Sequence, residues 1–305
     1  MKKLMRLFVI LAATAMLVAG TSCELPFTSP SISNNPQPPV EGSLEVYFLD
    51  VGQADCILLR TGEHNMLIDA GVELKNGQVT TAEINRILNY LKKYGITNLD
   101  YLVATHPHAD HIGAMAAVVK EMDSIGEVLM PDATNTTATF KNFLKAIEDK
   151  DISMTIPEPG DIFMLGEARM QVLAPNSSSY SDVNDYSIVL RVEFGAKTFL
   201  LTGDAEAKSE REQFGNVLPL KADVLKVGHH GSRTSSSQAY LDSVDPAYAI
   251  ISCGTGNSYG HPHSESVTRL AAMNVEIYRT DLHGTIIFTT DGTEINIAVE
   301  KNSAG

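Results

Sequence analysis

Residues 104–113 read ATHPHADHIG, and this stretch decides the fold prediction. It places four metal-type side chains close together: His106, His108, Asp110 and His111. The residues just before them, LDYLVATH, form an apolar run typical of a buried strand. Zinc prefers imidazole and carboxylate ligands, so a loop of this composition at the end of a strand predicts a metal site.

The spacing within this loop favours two ions rather than one. Alternate residues of an extended loop face different ways, so we expect His106 and His108 at one ion and Asp110 and His111 at another. Two ions about 3.5–4 Å apart can polarise a phosphoryl or carbonyl oxygen and generate a hydroxide nucleophile. A polar turn with incidental histidines is the alternative, and the density of ligand-type residues argues against it.

The rest of the chain alternates strand-like and helix-like segments, which favours an α/β sandwich with mixed sheets. Polar clusters follow apolar strands at Asp69, His106, Asp204 and His229. In open α/β folds, ligands bind beyond the carboxyl ends of the strands. These clusters are therefore the candidates for the remaining ligands.

Four motifs in order resemble the signatures of the metallo-β-lactamase superfamily. LIDAG resembles the first signature, THPHADHIG the second, LLTGDAE the fourth and LKVGHHGS the fifth. The resemblance implies a four-layer αββα sandwich with two mixed β-sheets, which we place at residues 43–301. It also implies two divalent metal ions, with zinc expected first and manganese as the competitor.

The resemblance assigns roles to the motif residues. Asp69 would support the metal loop without binding metal, and Asp204 would bridge the two ions. His229 would be the ligand of the fifth motif. His230 would be its neighbour, either ligating in its place or hydrogen-bonding a ligand.

The third signature departs from the family pattern. NDYSIVLR stands there, and Asp185 occupies the position where a metal-binding histidine is usual. We expect Asp185 to bind metal, and a turn cap at the start of a strand is the alternative. The strings VNDYSIVLR, HHGSRTSSS and SCGTGNSYGHPHSE resemble the competence-protein-like branch, which is related to the extracellular hydrolase domain of the DNA-uptake channel.

Two residues are predicted to be catalytic. Asp110 would orient the nucleophile while binding metal, and His261 would contact a phosphate or protonate the leaving group. A loop histidine without a role is the alternative for His261. Five further residues are predicted to support the site or to contact substrate: Asp69, His230, Ser232, Asn257 and His263.

Three cations, Lys226, Arg233 and Arg279, lie near these motifs and could offset phosphate charge. Ordinary surface solvation is the alternative for them. The sequence leaves the role of Asp55 undecided between structure and site.

The N-terminus has the layout of a secretory signal at residues 1–22. A basic head, MKKLMR, precedes a short apolar run, LFVILAATAMLVAG, and small residues follow. Cys23 resembles the lipid-modified cysteine of bacterial lipoproteins. Gly20 stands where that motif prefers leucine, so ordinary cleavage and secretion is the alternative. Residues 23–42 are rich in Pro, Ser and Asn and predict a flexible tether.

Charge and cysteines narrow the classes of protein. The formal net charge is −14. A protein that binds nucleic acid mainly by neutralising phosphates with its overall charge is basic, so the net charge excludes that mode of binding. Any contact with DNA would need a local basic patch or metal ions. Cys56 and Cys253 lie in apolar runs without zinc-finger spacing, and we expect buried free thiols.

These observations predict an exported metal-dependent hydrolase, a phosphodiesterase or nuclease. The alternative is another hydrolase of the same fold: a phosphorylcholine esterase, a lactonase or a β-lactamase-like enzyme. A surface-binding lipoprotein with a decayed metal site is the prediction outside the enzyme class. The expected partners are a phosphodiester or cell-surface substrate and DNA, with membrane contact only through the lipid anchor and no obligate protein partner.

Overall fold

The computed structural model describes residues 39–301. The predicted signal, Cys23 and residues 24–38 of the predicted tether lie outside the described residues. Strands in the described part are β1 Leu44–Phe48, β2 Ile57–Thr61, β3 His64–Ile68, β4 Asn98–Val103, β5 Ser124–Leu129, β6 Met154–Thr155, β7 Ile162–Leu165, β8 Ala168–Ala174, β9 Val189–Phe194, β10 Lys197–Leu201, β11 Val224–Lys226, β12 Tyr248–Ile251, β13 Glu276–Arg279, β14 Ile286–Thr290 and β15 Ile295–Val299. Helices there are α1 Thr81–Lys93, α2 Ala109–Ile112, α3 Met115–Glu121, α4 Ala138–Asp149, α5 Ala207–Gln213, α6 Gln238–Val244, α7 Ser264–Ala272 and α8 Thr280–His283, with 3-10 turns at Val183–Tyr186 and Gly228–Gly231.

The strands form two mixed sheets within residues 39–301. The first sheet has the order β15-β14-β1-β2-β3-β4-β5-β6, and the second has the order β13-β12-β11-β10-β9-β8-β7. In the first sheet β3 to β6 run parallel, and in the second β10 to β13 run parallel. The remaining pairs are antiparallel, four in the first sheet and three in the second.

Three apolar clusters separate the layers. The middle cluster packs the facing sides of the two sheets against each other and includes Phe48, Phe199 and Phe288. The outer clusters pack α1, α3 and α4 on the first sheet and α6 and α7 on the second. The predicted four-layer αββα sandwich is confirmed.

Helix α1 illustrates how local sequence sets these elements. The Thr80 hydroxyl accepts a hydrogen bond from Glu83 N, as an N-cap does. Ile87 and Leu91 are buried at a spacing of one turn, so one stripe of the helix faces the sheet. Gly95 follows at a φ of +69°, where glycine carries no steric penalty, and ends the helix. The capping residue, the apolar spacing and the glycine therefore suffice to set the bounds and the buried face of α1.

Both sheets aim the carboxyl ends of their parallel strands at one edge of the sandwich. Asp69 follows β3 and His106 follows β4 in the first sheet. Asp204 follows β10 and His230 follows β11 in the second. The two cysteines of the described part, Cys56 and Cys253, are buried and unpaired as expected. Within residues 39–301, the helices are all too short or too polar to cross a lipid bilayer.

Candidate metal centre

The backbone of the metal loop is held from beneath by two earlier segments. Asp55 N donates to Asp110 O at 2.9 Å, and Ala70 N donates to His111 O at 2.8 Å. A Cβ on Gly71 would lie 1.6 Å from Asp110 O, so this close approach requires glycine. The last residue of the LIDAG motif is therefore set by the fit of the loop that carries the candidate ligands.

Asp69 lies behind the metal loop and orients it. Its carboxylate accepts hydrogen bonds from Thr105 N at 2.8 Å and from Thr105 Oγ1 at 2.7 Å. The same carboxylate holds His111 Nδ1 at 2.6 Å. His111 Nε2 is thereby directed to the other side, toward Asp204. A carboxylate behind a ligating histidine is the arrangement that fixes ring orientation in metal sites.

Four side chains from both sheets converge in front of Asp69. Asp110, His111, Asp204 and His230 each offer a ligand atom, and these atoms all lie within 4.8 Å of one another. His111 Nε2 lies 3.2 Å from Asp204 Oδ2. His230 Nε2 lies 3.5 Å from both Asp110 Oδ2 and Asp204 Oδ2. Asp204 is therefore the common neighbour of the cluster.

His106 and His108 lie beside this cluster. His106 Nε2 is 3.0 Å from His108 Nδ1, and the ring centroids of His106 and His111 are 4.1 Å apart. Burial and the neighbouring His111 charge hold the pKa of His106 well below its usual value, so its imidazole is neutral. A neutral ring nitrogen is the form that binds metal.

The donor set fits divalent cations. His111 Nε2, Asp204 Oδ1 and His230 Nε2 are buried atoms without a hydrogen-bond partner within the described residues. Buried polar atoms are normally satisfied, and each exception needs a physical reason. Imidazole nitrogens and carboxylate oxygens that converge in this way are the ligands of zinc-type sites.

Without metal, the cluster is held together by protonated imidazoles. Burial opposes charge on His230, but Asp204, Asp55 and Asp110 raise its pKa to about 10. Burial also opposes charge on His111, but Asp204 and Asp69 raise its pKa well above the usual value. These cations in turn lower the pKa of Asp204 against its burial. Metal and protons therefore compete for the same atoms.

The turn after β11 presents His230, not His229, to the cluster. His229 and His230 have φ values of 47° and 54°, both left-handed, which reverses the chain within two residues. His230 Nδ1 donates to Ser252 O at 3.0 Å and its side chain is 1% exposed. His229 Nδ1 contacts Glu206 Oε1 at 2.8 Å, and its Nε2 is 3.8 Å from Asp204 Oδ2. The geometry favours the alternative in which His230 ligates.

Asp185 lies outside the cluster and caps a helix. Its Oδ1 accepts hydrogen bonds from Glu206 N at 3.1 Å and Ser209 N at 3.2 Å, at the start of α5. These contacts favour the turn-cap alternative for Asp185, because one of its carboxylate oxygens already accepts two backbone hydrogen bonds. The cavity-facing neighbour is instead Asn184, whose Nδ2 lies 3.4 Å from His229 Nδ1.

His261 faces the candidate metal centre as predicted from the sequence. Gln53 Nε2 lies 3.2 Å from its Nδ1, while Gln53 Oε1 accepts from Gly254 N. The amide therefore donates to Nδ1, which leaves the proton of the neutral ring on Nε2. Burial and the charges of His230 and His229 lower the pKa of His261 to about 4. Near pH 7 this residue is thus a neutral hydrogen-bond donor.

Three other predicted residues brace loops around the centre. The Asn257 amide bonds Gly254 O and both the carbonyl and N–H of His261. Ser232 Oγ pairs with Thr234 Oγ1 at 2.8 Å. His263 Nδ1 accepts from Arg233 N at 3.1 Å, next to the start of α7. These contacts give structural roles to Asn257, Ser232 and His263.

The predicted cations do not line the site as phosphate ligands. Lys226 is fully buried and its Nζ lies 2.6 Å from Asp55 Oδ2. Arg279 is paired with Asp281 at 2.6 Å, and Arg233 lies on the surface near Glu265. Sequence reasoning left Asp55 undecided and missed Gln53. The signal that could have found both is the polar VGQAD segment between two apolar strands.

An open cavity of about 360 Å³ lies over the cluster. Its floor includes His108, Asp110, Asp204 and His230, with His261 at one side. Among residues 39–301, the lining of this cavity contains no lysine or arginine. The arrangement can hold metal at the floor and place a neutral donor beside it, which is the layout of a hydrolytic metal site.

The fold and this site together define a class of protein. The sequence model of the Metallo-beta-lactamase superfamily matches residues 49–255, and the chain belongs to that superfamily. Membership implies a metal-dependent hydrolase. The metal-loop motif at residues 106–111 and the polar ends of β3, β10 and β11 all lie inside the matched range.

Curated relatives place the chain closer to one group. It is 31% identical over 285 residues to ComE operon protein 3 of Bacillus subtilis, with 89% of this chain and 35% of that protein covered. It is 33% identical over 261 residues to Recombination protein 2 of Haemophilus influenzae, with 85% and 31% covered. It is 31% identical to Competence protein ComA of Neisseria gonorrhoeae, with 84% and 34% covered. The chain spans about a third of the length of these relatives. The predicted competence-protein-like resemblance is confirmed.

Solved structures agree on the fold alone. The metallo-beta-lactamase fold protein YhfI from Bacillus subtilis aligns with a TM-score of 0.54 and 13% identity, over 81% of this chain and 100% of that chain. CmlA, a diiron beta-hydroxylase from Streptomyces venezuelae, aligns with a TM-score of 0.50 and 15% identity, over 82% and 54%.

Proposed function

We propose that the protein is a phosphodiesterase with nuclease activity whose site uses two divalent metals. The observation that carries the proposal is the convergence of His111 Nε2 and His230 Nε2 with the Asp110 and Asp204 carboxylates at the floor of an open cavity. Similarity to three proteins, two of them named for competence and recombination, supports a phosphodiester substrate. Zinc is the first expectation for the metal, with manganese as its competitor.

The residues of the site would fall into two groups, those that bind the metals and those that orient the metal-binding rings. His106 and His108 would hold one ion, and Asp110, His111 and His230 the other, with Asp204 between them. Bound metals polarise a phosphoryl oxygen and lower the pKa of water. Asp69 holds the His111 ring at 2.6 Å, and Asp55 faces His230 Nδ1 at 3.4 Å, so both rings are oriented from behind.

His261 would bind the substrate rather than act as a cationic acid. Its neutral Nε2–H, fixed by the Gln53 amide, is a donor suited to a non-bridging phosphate oxygen. The lowered pKa of about 4 argues against protonation near pH 7. These features support phosphate contact over the other predicted role of His261, which is protonation of the leaving group.

The test is one purification with several substrates. The protein obtained from expression of the full chain is analysed for bound metal, then assayed with bis-p-nitrophenyl phosphate and single- and double-stranded DNA. His108→Ala and Asp204→Ala are the controls, because both residues lie at the cavity floor. Cleavage of a diester that both variants lose supports the proposal. Bound metal without diester cleavage by the wild-type protein contradicts it.

The second candidate is a hydrolase of smaller esters. The observation in its favour is the absence of lysine and arginine from the cavity lining in the described part of the chain, since a long polyanion would gain no charge compensation there. Phosphorylcholine esters, lactones and β-lactams are the substrates to compare, with p-nitrophenyl phosphorylcholine and nitrocefin as probes. Turnover of one of these, without cleavage of bis-p-nitrophenyl phosphate or DNA, would establish this candidate.

We also propose export and anchoring through Cys23. The basic head and short apolar run support a signal segment, and the proline-rich residues that follow suit a tether. Cell fractionation with mass spectrometry of the N-terminal peptide tests this, with Cys23→Ala as the matched variant. A lipidated peptide lost in that variant supports anchoring, and an unmodified protein in the medium supports secretion.

A further inference from the structure

A second cavity opens directly beside the candidate metal centre. Its volume is about 330 Å³, in the range of ligand-binding pockets. It shares Gln53, Leu74, Asp110 and Tyr259 with the cavity over the metal cluster. The two cavities therefore adjoin, and a substrate held at Asp110 can extend from one into the other.

The border between the cavities carries two exposed apolar side chains. Tyr259 is 62% exposed and Leu74 is 40% exposed. Large apolar side chains at the surface are informative when they line a concave site. The Tyr259 ring lies nearly parallel to His261, at an interplanar angle of 23° and a centroid distance of 5.7 Å. The aromatic face is thus held next to the proposed phosphate donor while most of the side chain stays open to a ligand.

The loop that carries Tyr259 is held in place by side-chain hydrogen bonds. Asn257 closes it through hydrogen bonds to Gly254 O and to both backbone groups of His261. On the opposite wall, Glu73 packs so closely against Gly52 that a Cβ there would lie 2.6 Å from Glu73 Oε2. Both walls are therefore fixed by contacts that leave the space between them free.

The residues that line the second cavity suit an uncharged part of a substrate. Its lining within residues 39–301 includes Glu73 and Asp110 and no lysine or arginine. A further phosphate would gain no lysine or arginine partner from this lining, and the Glu73 carboxylate is already paired with Lys75 Nζ at 2.9 Å. The polar groups that remain are the Glu73 carboxylate with Asn76 and Ser258, which can bond sugar hydroxyls and base edges.

We propose that this second cavity binds the nucleoside next to the cleaved phosphate, with the base stacked on Tyr259. Stacking on an exposed aromatic side chain is how proteins hold an unpaired base. The inference rests on the proposed phosphodiesterase function and adds the substrate class: a nucleoside diester with a single-stranded base. The volume suits one nucleoside, and the lining within residues 39–301 offers no lysine or arginine to a second phosphate at that end.

The test compares diesters that share one leaving group. Methyl p-nitrophenyl phosphate is the reference, and thymidine joined to p-nitrophenyl phosphate through its 5′ or its 3′ oxygen gives two nucleoside substrates. We expect kcat/KM for at least one thymidine diester to exceed the reference. We define the substrate ratio as kcat/KM for the preferred thymidine diester divided by kcat/KM for the reference. We expect Tyr259→Ala to lower this ratio about 5- to 150-fold, the range that corresponds to the free energy of base–aromatic stacking. Tyr259→Phe keeps the ring and is expected to keep the ratio.

Leu282→Ala is the matched control, because Leu282 is 49% exposed and lies outside the linings of both cavities. The ratio is expected to stay unchanged in this variant. Equal rates for all three diesters, or a ratio that Tyr259→Ala does not move, would overturn the nucleoside site and leave the phosphodiesterase intact. A wild-type protein that cleaves none of the diesters would instead refute the proposed function. Faster turnover of p-nitrophenyl phosphorylcholine than of either thymidine diester would assign the second cavity to a choline group.

Discussion

Asp55 and Lys226 form an ion pair in the interior of the sandwich. Lys226 Nζ lies 2.6 Å from Asp55 Oδ2, and the two side chains are 0% and 1% exposed. Asp55 belongs to the loop between β1 and β2 of the first sheet, and Lys226 ends β11 of the second. The other oxygen of Asp55 faces His230 Nδ1 at 3.4 Å. The pair therefore joins the two sheets directly beneath the candidate ligands.

Breaking this pair on one side should destabilise the fold strongly. Asp55→Asn or Lys226→Met leaves the remaining charge buried and unpaired, which we expect to lower the free energy of unfolding by about 3–5 kcal/mol. The double variant removes both charges and should lose less than the sum of the two. Urea denaturation of the metal-free protein measures all three.

A surface pair is the control for that prediction. Lys221 and Asp245 lie 2.9 Å apart but are 75% and 65% exposed, so Lys221→Met should leave the free energy of unfolding close to the wild-type value. If Asp55→Asn and Lys226→Met changed the free energy of unfolding as little as Lys221→Met does, the stabilising role of the buried pair would be contradicted.

Replacing His229 and His230 one at a time should show which of the two binds metal. His230→Ala removes an Nε2 that lies 3.5 Å from two carboxylates, and we expect metal affinity to fall by more than about 100-fold. His229→Ala removes a ring held by Glu206, and the fall should stay within about tenfold. Metal titration of the metal-free variants decides, and the reverse order would restore His229 as the ligand.

Metal binding near pH 7 should release protons. The pKa of His230 is raised to about 10 and that of His111 is also raised, because neighbouring carboxylates outweigh burial, so both rings are protonated before metal binds. Metal needs the neutral nitrogens, so we expect about two protons to leave and affinity to weaken as the pH falls from 8 to 6.

Calorimetric titration in two buffers of different ionisation enthalpy measures the number of protons released. His230→Ala should release about one proton fewer than the wild-type protein. A wild-type titration without proton release would contradict the protonated cluster.

Asp185 should matter for stability and not for metal. Asp185→Ala removes the acceptor for Glu206 N and Ser209 N, and we expect a loss of about 1 kcal/mol in the free energy of unfolding with metal content unchanged. Asp185→Asn keeps an acceptor oxygen and should lose less. Elemental analysis with urea denaturation tests this against Asp204→Asn, which should lose metal. Metal loss in Asp185→Asn would restore the ligand prediction.

Much of the fold could be predicted because local patterns and tertiary packing agree. The helical stripe of α1, with its Thr80 cap and Gly95 stop, needed only spacing and turn chemistry. The edge strand β6 carries no such local pattern, since a two-residue pairing at Met154–Thr155 leaves no periodicity to detect.

At the site, the sequence by itself determined the ligand chemistry. His106, His108, Asp110 and His111 fall within one loop, and the spacing of a loop after a strand already places them together. Only the tertiary structure favours His230 over His229, because two consecutive left-handed residues turn one ring toward the cluster. It also decided that Asp185 caps α5 and that Asp55 and Lys226 are partners. Those contacts join segments from different parts of the chain, and spacing along a sequence carries no information about which distant charges meet.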